Sequence, residues 1–186
     1  MKARIGRDLT TAGYHLKAGG VIAYPTEGVF GLGCDPRNEA AIESLLDIKH
    51  RKIDKGLILI ASKREQLLPF IAPLSTEVDR KLDETWPGPI TWILPCATTA
   101  PASVTGNKPT IATRVTNHKI AAALCVECDS AIISTSANIS GEPAFTTSQQ
   151  VADVFSSQLD YILDYKVGDQ HGPTPIFDGL TGEQLR

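Results

Sequence analysis

The chain has 186 residues, of which 42% are hydrophobic and 21% charged, and its formal net charge at pH 7 is -3. This composition is typical of a single globular domain, residues 1–186, and the mild acidity excludes a uniformly basic nucleic-acid-binding surface. No apolar run approaches the roughly 20 residues of a membrane helix, and the amino terminus lacks the apolar core of a signal peptide. The sequence therefore predicts a soluble, cytoplasmic protein.

Apolar periodicity and capping residues predict helices and strands that alternate along the chain. The predicted helices are Asp8–Ala18, Glu39–Lys49 capped by Asn38, a short helix from a Ser62–Glu65 capping box toward Pro69, Ser75–Thr85, His118–Cys125 capped by Asn117, and one from a Thr147–Gln150 capping box through Phe155. The predicted strands are Val21–Tyr24, Leu57–Ala61, Ile90–Leu94, Ile111–Val115, Ala131–Ser134, Tyr161–Leu163 and Pro175–Asp178. This alternation predicts an α/β fold in which helices cover a twisted sheet, without indicating the strand order.

Three common active-site motifs are absent from the sequence. There is no Gly-x-x-x-x-Gly-Lys-Ser/Thr phosphate loop and no Gly-x-Ser-x-Gly nucleophile elbow. Gly31-Leu32-Gly33 resembles part of a dinucleotide-binding fingerprint, but Pro36 occupies the third glycine position. A nucleotide site in this chain would therefore be neither a P-loop nor a Rossmann site.

Four cysteines occur at irregular spacing, and only Cys125 and Cys128 have the Cys-x-x-Cys spacing of a redox or zinc motif. No second pair or histidine cluster accompanies them to complete a tetrahedral zinc site. We therefore expect reduced thiols and no metal site.

The segment Lys49–Gly56 concentrates basic residues at the predicted connection between a helix and a buried strand. If this connection is extended, Lys49 and Arg51 project to the same side, where an ammonium and a guanidinium could hold a triphosphate. The alternative is a solvated basic helix end that complements the helix dipole. The segment alone does not decide between these two interpretations.

Two polar segments follow predicted strands. Ser134–Gly141 presents hydroxyl groups and an amide that suit phosphate or ribose oxygens, or that simply form a hydrogen-bonded turn. Pro25–Gly28 could likewise be a turn or a donor and acceptor set for a small polar substrate.

Taken together and in order, six segments closely resemble the YrdC-like threonylcarbamoyl-AMP synthase family. They are Tyr24-Pro25-Thr26-Glu27, Gly31-Leu32-Gly33-Cys34-Asp35, Lys49-His50-Arg51, Trp86-Pro87-Gly88-Pro89, Arg114-Val115 and Ser134-Thr135-Ser136-Ala137-Asn138. The resemblance is strongest from about Gly20 to Thr147. It implies an open, twisted mixed sheet with flanking helices around a basic concave cavity, as in the short bacterial members.

The resemblance also implies a reaction and its participants. Bicarbonate and the threonine amine would form a carbamate, whose oxygen would attack the α-phosphate of ATP and release pyrophosphate. Magnesium is expected to accompany ATP. Downstream proteins would transfer the threonylcarbamoyl group to tRNA, with direct tRNA contact left open.

Site residues are carried over by motif. The resemblance implies that Lys49 and Arg51 are catalytic and that they bind ATP together with Lys55, Ser136 and Asn138. Many relatives have proline where this chain has Gly56, so the loop carrying Lys55 is expected to be more mobile. The residues expected around threonine are Thr26, Thr110, Arg114 and Ser134, with Arg114 either pairing with the carboxylate or exposed on an edge strand.

Two other functions compete with this interpretation. A basic cavity could bind RNA without turnover, as an RNA-binding or ribosome-assembly module, although the sequence lacks the interleaved aromatic residues of a single-strand platform. Carbamoyltransferases of hydrogenase maturation carry a similar module, but they have additional domains for which this chain has no room.

Overall fold

The computed structural model describes residues 2–170 and 172–186. Within these ranges the helices are α1 Leu9–Lys17, α2 Glu39–Ile48, α3 Thr76–Thr85, α4 Ala102–Thr105, α5 Lys119–Cys128 and α6 Ser148–Phe155. The strands are β1 Arg4–Gly6, β2 Ile22–Pro25, β3 Phe30–Gly33, β4 Ile58–Ala61, β5 Thr91–Pro95, β6 Thr110–Val115, β7 Ile132–Ser136, β8 Tyr161–Leu163 and β9 Ile176–Asp178. Two 3-10 turns cover Ile53–Lys55 and Arg64–Gln66.

The described strands form one mixed sheet in the order β1-β8-β2-β3-β7-β4-β6-β5-β9. Antiparallel pairs join β2 to β3, β3 to β7, β7 to β4 and β6 to β5, and the other neighbours are parallel. The predicted α/β class and mixed open sheet are confirmed. The order explains how segments far apart in sequence reach one site, because β7 lies between β3 and β4.

Helices cover both faces of the sheet and bury two apolar clusters. Residues of α1 and α5 pack on one face, together with Ile22 and Tyr24 of β2. Residues of α2, α3 and α6 contribute to the cluster on the other face, which takes Ala23 from the same strand. This alternation follows from the two-residue period of a strand. None of the helices in the described ranges has the length and apolarity that crossing a bilayer requires.

Most predicted elements are confirmed to within a few residues, including the Asn38 cap and the Thr147–Gln150 capping box. The predicted capping box at Ser62 is wrong. A 3-10 turn forms there, and the Gln66 side chain rather than that of Glu65 accepts the Ser62 N–H at 2.9 Å. The predicted Asn117 cap is also wrong, because α5 begins one residue later and His118 Nδ1 accepts the Ala121 N–H at 3.4 Å.

Strand β3 was missed in the sequence because its Gly-Leu-Gly composition resembles a turn. The structure gives the reason for one of these glycines. A Cβ atom on Gly33 would lie 2.3 Å from the Ile133 carbonyl oxygen and 2.8 Å from the Tyr24 ring. The glycine therefore marks the close approach of a neighbouring strand rather than a turn.

Candidate functional site

Four neighbouring strands each place one residue in a row on the floor of a cavity. Strand β7 sets Ser134 beside Ile58 of β4. The same Ile58 lies beside Ala112 of β6, which in turn lies beside Ile93 of β5. These four residues line a cavity of about 240 Å³. Ser134 projects from the same face as Ile132, which α5 covers, so the cavity opens where the helices no longer cover the sheet.

The cavity wall is strongly basic. Its cations are Arg51, Lys55, Lys108, Arg114 and Arg186, whereas the described part of the lining contains no Asp or Glu. The guanidinium groups also influence one another, since burial and then the charges of Arg114 and Arg51 lower the pKa of Arg186. Such a wall attracts an anion with several charges. The predicted basic concave cavity is thereby confirmed.

Lys49 does not lie on this wall but directly behind it. Its side chain is only 2% exposed. The ammonium Nζ donates to the carbonyl oxygens of Ser136 and Asn138 and to Asn138 Oδ1, the last two at 3.0 Å. All three of its N–H groups are thus used. Burial, followed by the charge of Arg51, lowers the pKa of Lys49 to about 8.

The end of helix α2 brings Lys49 and Arg51 to this position. His50 adopts a left-handed φ of 49°. Its N–H donates to the Asp47 carbonyl, and the Arg51 N–H donates to the Leu46 carbonyl, both at 3.0 Å. This pattern is a Schellman motif, in which the chain reverses at the helix end. The extended conformation considered for this segment is therefore wrong.

Arg51 points from this turn into the cavity. Its Nη2 donates to the Gly56 carbonyl at 2.8 Å, while Nε is buried and has no partner among the described residues. Burial lowers the Arg51 pKa, an effect that Asp54 opposes. The guanidinium therefore keeps donors available for a ligand.

The segment after β7 forms a hydrogen-bonded loop around Asn138. Ser136 Oγ donates to Asn138 Oδ1 at 2.7 Å, and Asn138 Nδ2 donates to the Glu142 carbonyl at 2.6 Å. Ser140 Oγ donates back to the Lys49 carbonyl at 3.1 Å. Ser136 lines the cavity, whereas Asn138 and Lys49 support it from behind.

A second polar cluster surrounds Arg114, and we call it the Arg114 network: Glu27, Thr91, Arg114, Thr116 and Thr174. Arg114 Nη1 donates to Thr91 Oγ1 at 3.0 Å and to Thr174 Oγ1 at 2.7 Å. Its Nη2 lies 3.2 Å from Glu27 Oε2, and Thr116 Oγ1 donates to Glu27 Oε1 at 2.6 Å. Arg114 is 4% exposed on an interior strand. The alternative of a water-exposed cation on an edge strand is therefore wrong.

The structure places most predicted site residues on one cavity. The lining includes Arg51, Lys55 and Ser136 of the predicted ATP set, and Thr26, Thr110, Arg114 and Ser134 of the predicted threonine set. Sequence reasoning did not identify Lys108, Thr174 or Arg186. No local motif signals them, because Thr174 and Arg186 reach the cavity only through the pairing of β9 with β5.

Three of the four cysteines, Cys34, Cys125 and Cys128, lie in surroundings that keep the thiol protonated. Cys34 and Cys125 are buried, and burial raises the pKa of Cys34 to about 12 and that of Cys128 to about 11. Thiols held in the protonated form are poor nucleophiles and poor metal ligands. In the described ranges, no group of three or more His, Cys, Asp and Glu residues has the arrangement of a metal site.

Comparison with known proteins identifies relatives over almost the whole chain. The Sua5/YciO/YrdC family model, described as "Telomere recombination", matches residues 15–186. A protein of Nitrosococcus oceani named threonylcarbamoyl-AMP synthase is 50% identical over 171 residues, which cover 92% of both chains.

Solved structures also resemble the chain over almost its whole length. P. abyssi Sua5 complexed with L-threonine superimposes with a TM-score of 0.88 at 29% identity, over 96% of this chain and 54% of that one. E. coli YciO superimposes with a TM-score of 0.81 at 22% identity, over 98% of this chain and 96% of that one. The chain thus spans about half of the Sua5 chain and nearly all of YciO.

Proposed function

Because the chain belongs to the Sua5/YciO/YrdC family, we propose that it is a threonylcarbamoyl-AMP synthase, a nucleotidyltransferase that uses ATP, L-threonine and bicarbonate. One observation carries the proposal beyond the family. A single cavity joins a cluster of cations, which have no carboxylate partner among the described residues, to an arginine that a buried glutamate neutralises. The cation cluster suits a triphosphate, and the paired arginine suits an amino acid.

The reaction consists of two balanced steps. The threonine amine attacks bicarbonate, which forms a carbamate and releases water. A carbamate oxygen then attacks the α-phosphorus of ATP, and the bond to the β-phosphate oxygen breaks with release of pyrophosphate. Negative charge grows on the leaving pyrophosphate, so cations that are already in place lower the barrier.

ATP would bind at the segment after α2 and the adjoining β7 loop. Arg51 and Lys55 lie on the cavity wall and would contact the phosphates, and Ser136 lines the same cavity. Because its hydroxyl already donates to Asn138 Oδ1, Ser136 would accept a hydrogen bond, as from a ribose hydroxyl. The buried Lys49 adds positive charge from behind the loop and shapes it through Asn138. Lys49 and Arg51 thus supply the charge that the departing pyrophosphate requires.

Threonine would bind nearer the Arg114 network. Arg114 would donate to its carboxylate, while Thr26, Thr110 and Ser134 line the same cavity. Thr26 Oγ1 already donates to the Val29 carbonyl at 2.7 Å, so this hydroxyl is left as an acceptor for a ligand. A cleft in which hydroxyl groups surround a paired arginine is appropriate for one small zwitterion.

Magnesium, bicarbonate and the macromolecular partners complete the proposal. The described cavity lining offers no carboxylate ligand, so Mg²⁺ does not fit a site built from these side chains. It would enter on the ATP phosphates. The product would pass in the cytoplasm to proteins that modify tRNA. Direct tRNA contact would use the basic residues of the cavity wall.

The proposal is tested by pyrophosphate release from the purified protein with ATP, magnesium and bicarbonate. We expect release that requires L-threonine, with threonylcarbamoyl-AMP detected by mass spectrometry. Serine and valine are the matched controls, since each lacks one of the two groups on the threonine β-carbon. Absence of release in every mixture, with RNA retained in a salt-sensitive way, would instead support an RNA-binding module.

A further inference from the structure

We infer that Glu27 is a positioning residue that orients Arg114 for the substrate carboxylate. Glu27 belongs to the Pro25–Gly28 segment, and the proposed mechanism gives it no role. The inference rests on the proposed function in one respect only, namely that Arg114 receives the carboxylate of threonine.

The two side chains form a buried ion pair between the loop after β2 and the interior strand β6. Glu27 is 5% exposed and Arg114 is 4% exposed, with Oε2 and Nη2 3.2 Å apart. The Thr116 hydroxyl donates to the other Glu27 oxygen at 2.6 Å, which holds the carboxylate in one orientation. A buried charge pair with such additional hydrogen bonds has little freedom to rearrange.

Glu27 reaches Arg114 from the side that faces away from the ligand. Arg114 lines the proposed substrate cavity, whereas Glu27 lines a separate, more open cavity of about 770 Å³ on the other side, together with His118 and Lys166. Arg114 therefore stands between Glu27 and the substrate. Glu27 acts through the guanidinium and not on the reacting atoms.

The backbone holds Glu27 as firmly as its side chain does. The Gly168 N–H donates to the Thr26 carbonyl at 2.9 Å, and the Gln170 N–H donates to the Glu27 carbonyl at 3.0 Å. A Cβ atom on Gly168 would lie 2.6 Å from the Glu27 carbonyl oxygen, so the two segments are in close contact. The same downstream segment carries Thr174, which accepts from Arg114.

These contacts leave part of the guanidinium without a hydrogen-bond partner among the described residues. Thr91 and Thr174 occupy both N–H groups of Nη1, and Glu27 pairs with Nη2. Arg114 Nε and Glu27 Oε2 are both buried without a hydrogen-bond partner among the described residues, so Oε2 contacts Nη2 as an ion pair only. A ligand carboxylate that approached Nε and Nη2 would complete the fork, provided that the guanidinium plane is held in its present orientation.

A simple electrostatic role for Glu27 predicts the opposite effect from a positioning role. Removing a carboxylate beside Arg114 makes the cavity more positive, which by charge alone would tighten binding of an anion. Losing the orientation of the guanidinium would weaken binding, because the fork must then be ordered by the ligand. The direction of the change in threonine affinity therefore separates the two.

The decisive variant is Glu27→Gln, which keeps the size and removes the charge. We expect the KM and the dissociation constant of threonine to rise about tenfold or more, and the KM of ATP to change less than about twofold. Glu27→Asp should recover part of the affinity. Thr116→Val, which keeps Glu27 and removes only its orienting hydroxyl, should give a smaller rise and tests the same point if Glu27→Gln does not fold.

A double-mutant cycle completes the test. In an Arg114→Gln background, Glu27→Gln should change threonine affinity by less than about twofold, because Glu27 acts only through Arg114. Tighter threonine binding by Glu27→Gln, equal effects on threonine and ATP, or a full effect in the Arg114→Gln background would each overturn the inference. A wild-type protein without threonine-dependent release would refute the proposed function instead. In that case, nitrogen NMR of the Arg114 side chain would still test the inference, because rotation of the guanidinium should be slow in wild type and fast in Glu27→Gln.

Discussion

The segment Lys49–Lys55 and the Arg114 network both bring buried cations to one cavity, but they balance those charges differently. Lys49 is bonded only to carbonyl oxygens, and Arg51 donates to the Gly56 carbonyl. Neither takes part in an ion pair among the described residues, whereas Arg114 is paired with Glu27.

This difference indicates what each region binds. Cations without carboxylate partners carry a desolvation cost that a polyanion offsets, so the Lys49–Lys55 segment is matched to a triphosphate. An arginine whose charge is neutralised binds a ligand through hydrogen-bond geometry more than through net charge. The Arg114 network is therefore matched to a small zwitterion. Raising the salt concentration should therefore weaken the binding of ATP more than the binding of threonine.

The largest expected effect comes from Arg51→Ala. This change removes a guanidinium from the region without compensating carboxylates, and we expect kcat to fall about 100- to 1000-fold, as for loss of a charge-stabilising donor. Lys52→Ala is the matched control, since this neighbour is exposed and does not line the cavity. Pyrophosphate release gives the rates, and circular dichroism establishes that both variants fold. A fall of less than about threefold would contradict the assignment of Arg51.

The second prediction uses the lowered pKa of Lys49, about 8, caused by burial and then by Arg51. Above this pH the ammonium loses its charge, so ATP affinity measured without threonine should fall roughly three- to tenfold by about pH 9.5. Lys49→Met should bind ATP weakly and show no such fall. Binding is measured by calorimetry, which avoids the titration of the threonine amine.

As the pH rises, the contribution of Lys49 to folding stability should change in the direction opposite to ATP affinity. The pKa of Lys49 lies below the ordinary lysine value of 10.5, so between about pH 8 and 10.5 the unfolded chain binds more protons than the folded one. The contribution of Lys49 to the free energy of unfolding therefore rises with pH in this window. Weaker ATP binding together with undiminished stability would exclude alkaline unfolding as the cause.

The sequence was sufficient for the fold class because capping residues and apolar runs act locally. Asn38 and Thr147 cap their helices as predicted. Strand β3 could not be predicted, because the need for Gly33 comes from a contact with Ile133 of another strand. The 3-10 turn after Ser62 likewise depends on Gln66, which also donates to the Cys125 carbonyl at 2.9 Å in another element.

The candidate site was predictable in its residue types but not in its geometry. The motifs located Lys49 and Asn138, yet not that they support the wall from behind. Glu27 was visible in the same motif as Thr26, without any sign that it pairs with Arg114, 87 positions away. Such pairings depend on strand order, which the apolar pattern does not encode.

A smaller effect is expected from Thr174→Val, which tests the geometry of the Arg114 network and leaves its charge unchanged. Losing the 2.7 Å bond to Arg114 Nη1 should raise the KM of threonine roughly three- to tenfold, with the KM of ATP unchanged. Thr98→Val, at an exposed position, is the matched control. Equal changes for the two substrates would show that the two regions do not act separately.

The smallest effect on substrate binding is expected from Gly56→Ala, which displaces the Lys49–Lys55 segment without removing a charge. Gly56 combines a φ of 64° with a ψ of 170°, and a Cβ atom there would lie 3.1 Å from the Thr105 carbonyl oxygen. Alanine should therefore destabilise the fold by roughly 1–3 kcal/mol. Since the Gly56 carbonyl accepts from Arg51, the KM of ATP should rise about twofold while that of threonine stays constant.

Gly182→Ala separates the local consequence of Gly56→Ala from general destabilisation. Gly182 also has a left-handed φ, 78°, but a Cβ atom there would approach only Lys81 Nζ, at 3.6 Å. It should lower the thermal unfolding temperature through the left-handed backbone alone, by less than Gly56→Ala does, and leave both KM values unchanged. A rise in the KM of ATP for Gly56→Ala alone would mean that the backbone after α2 holds Arg51 at its working distance from the phosphates. The same rise in both variants would mean that ATP binding depends on the stability of the whole fold. The Lys49–Lys55 segment and the Arg114 network would then differ in rigidity rather than in charge.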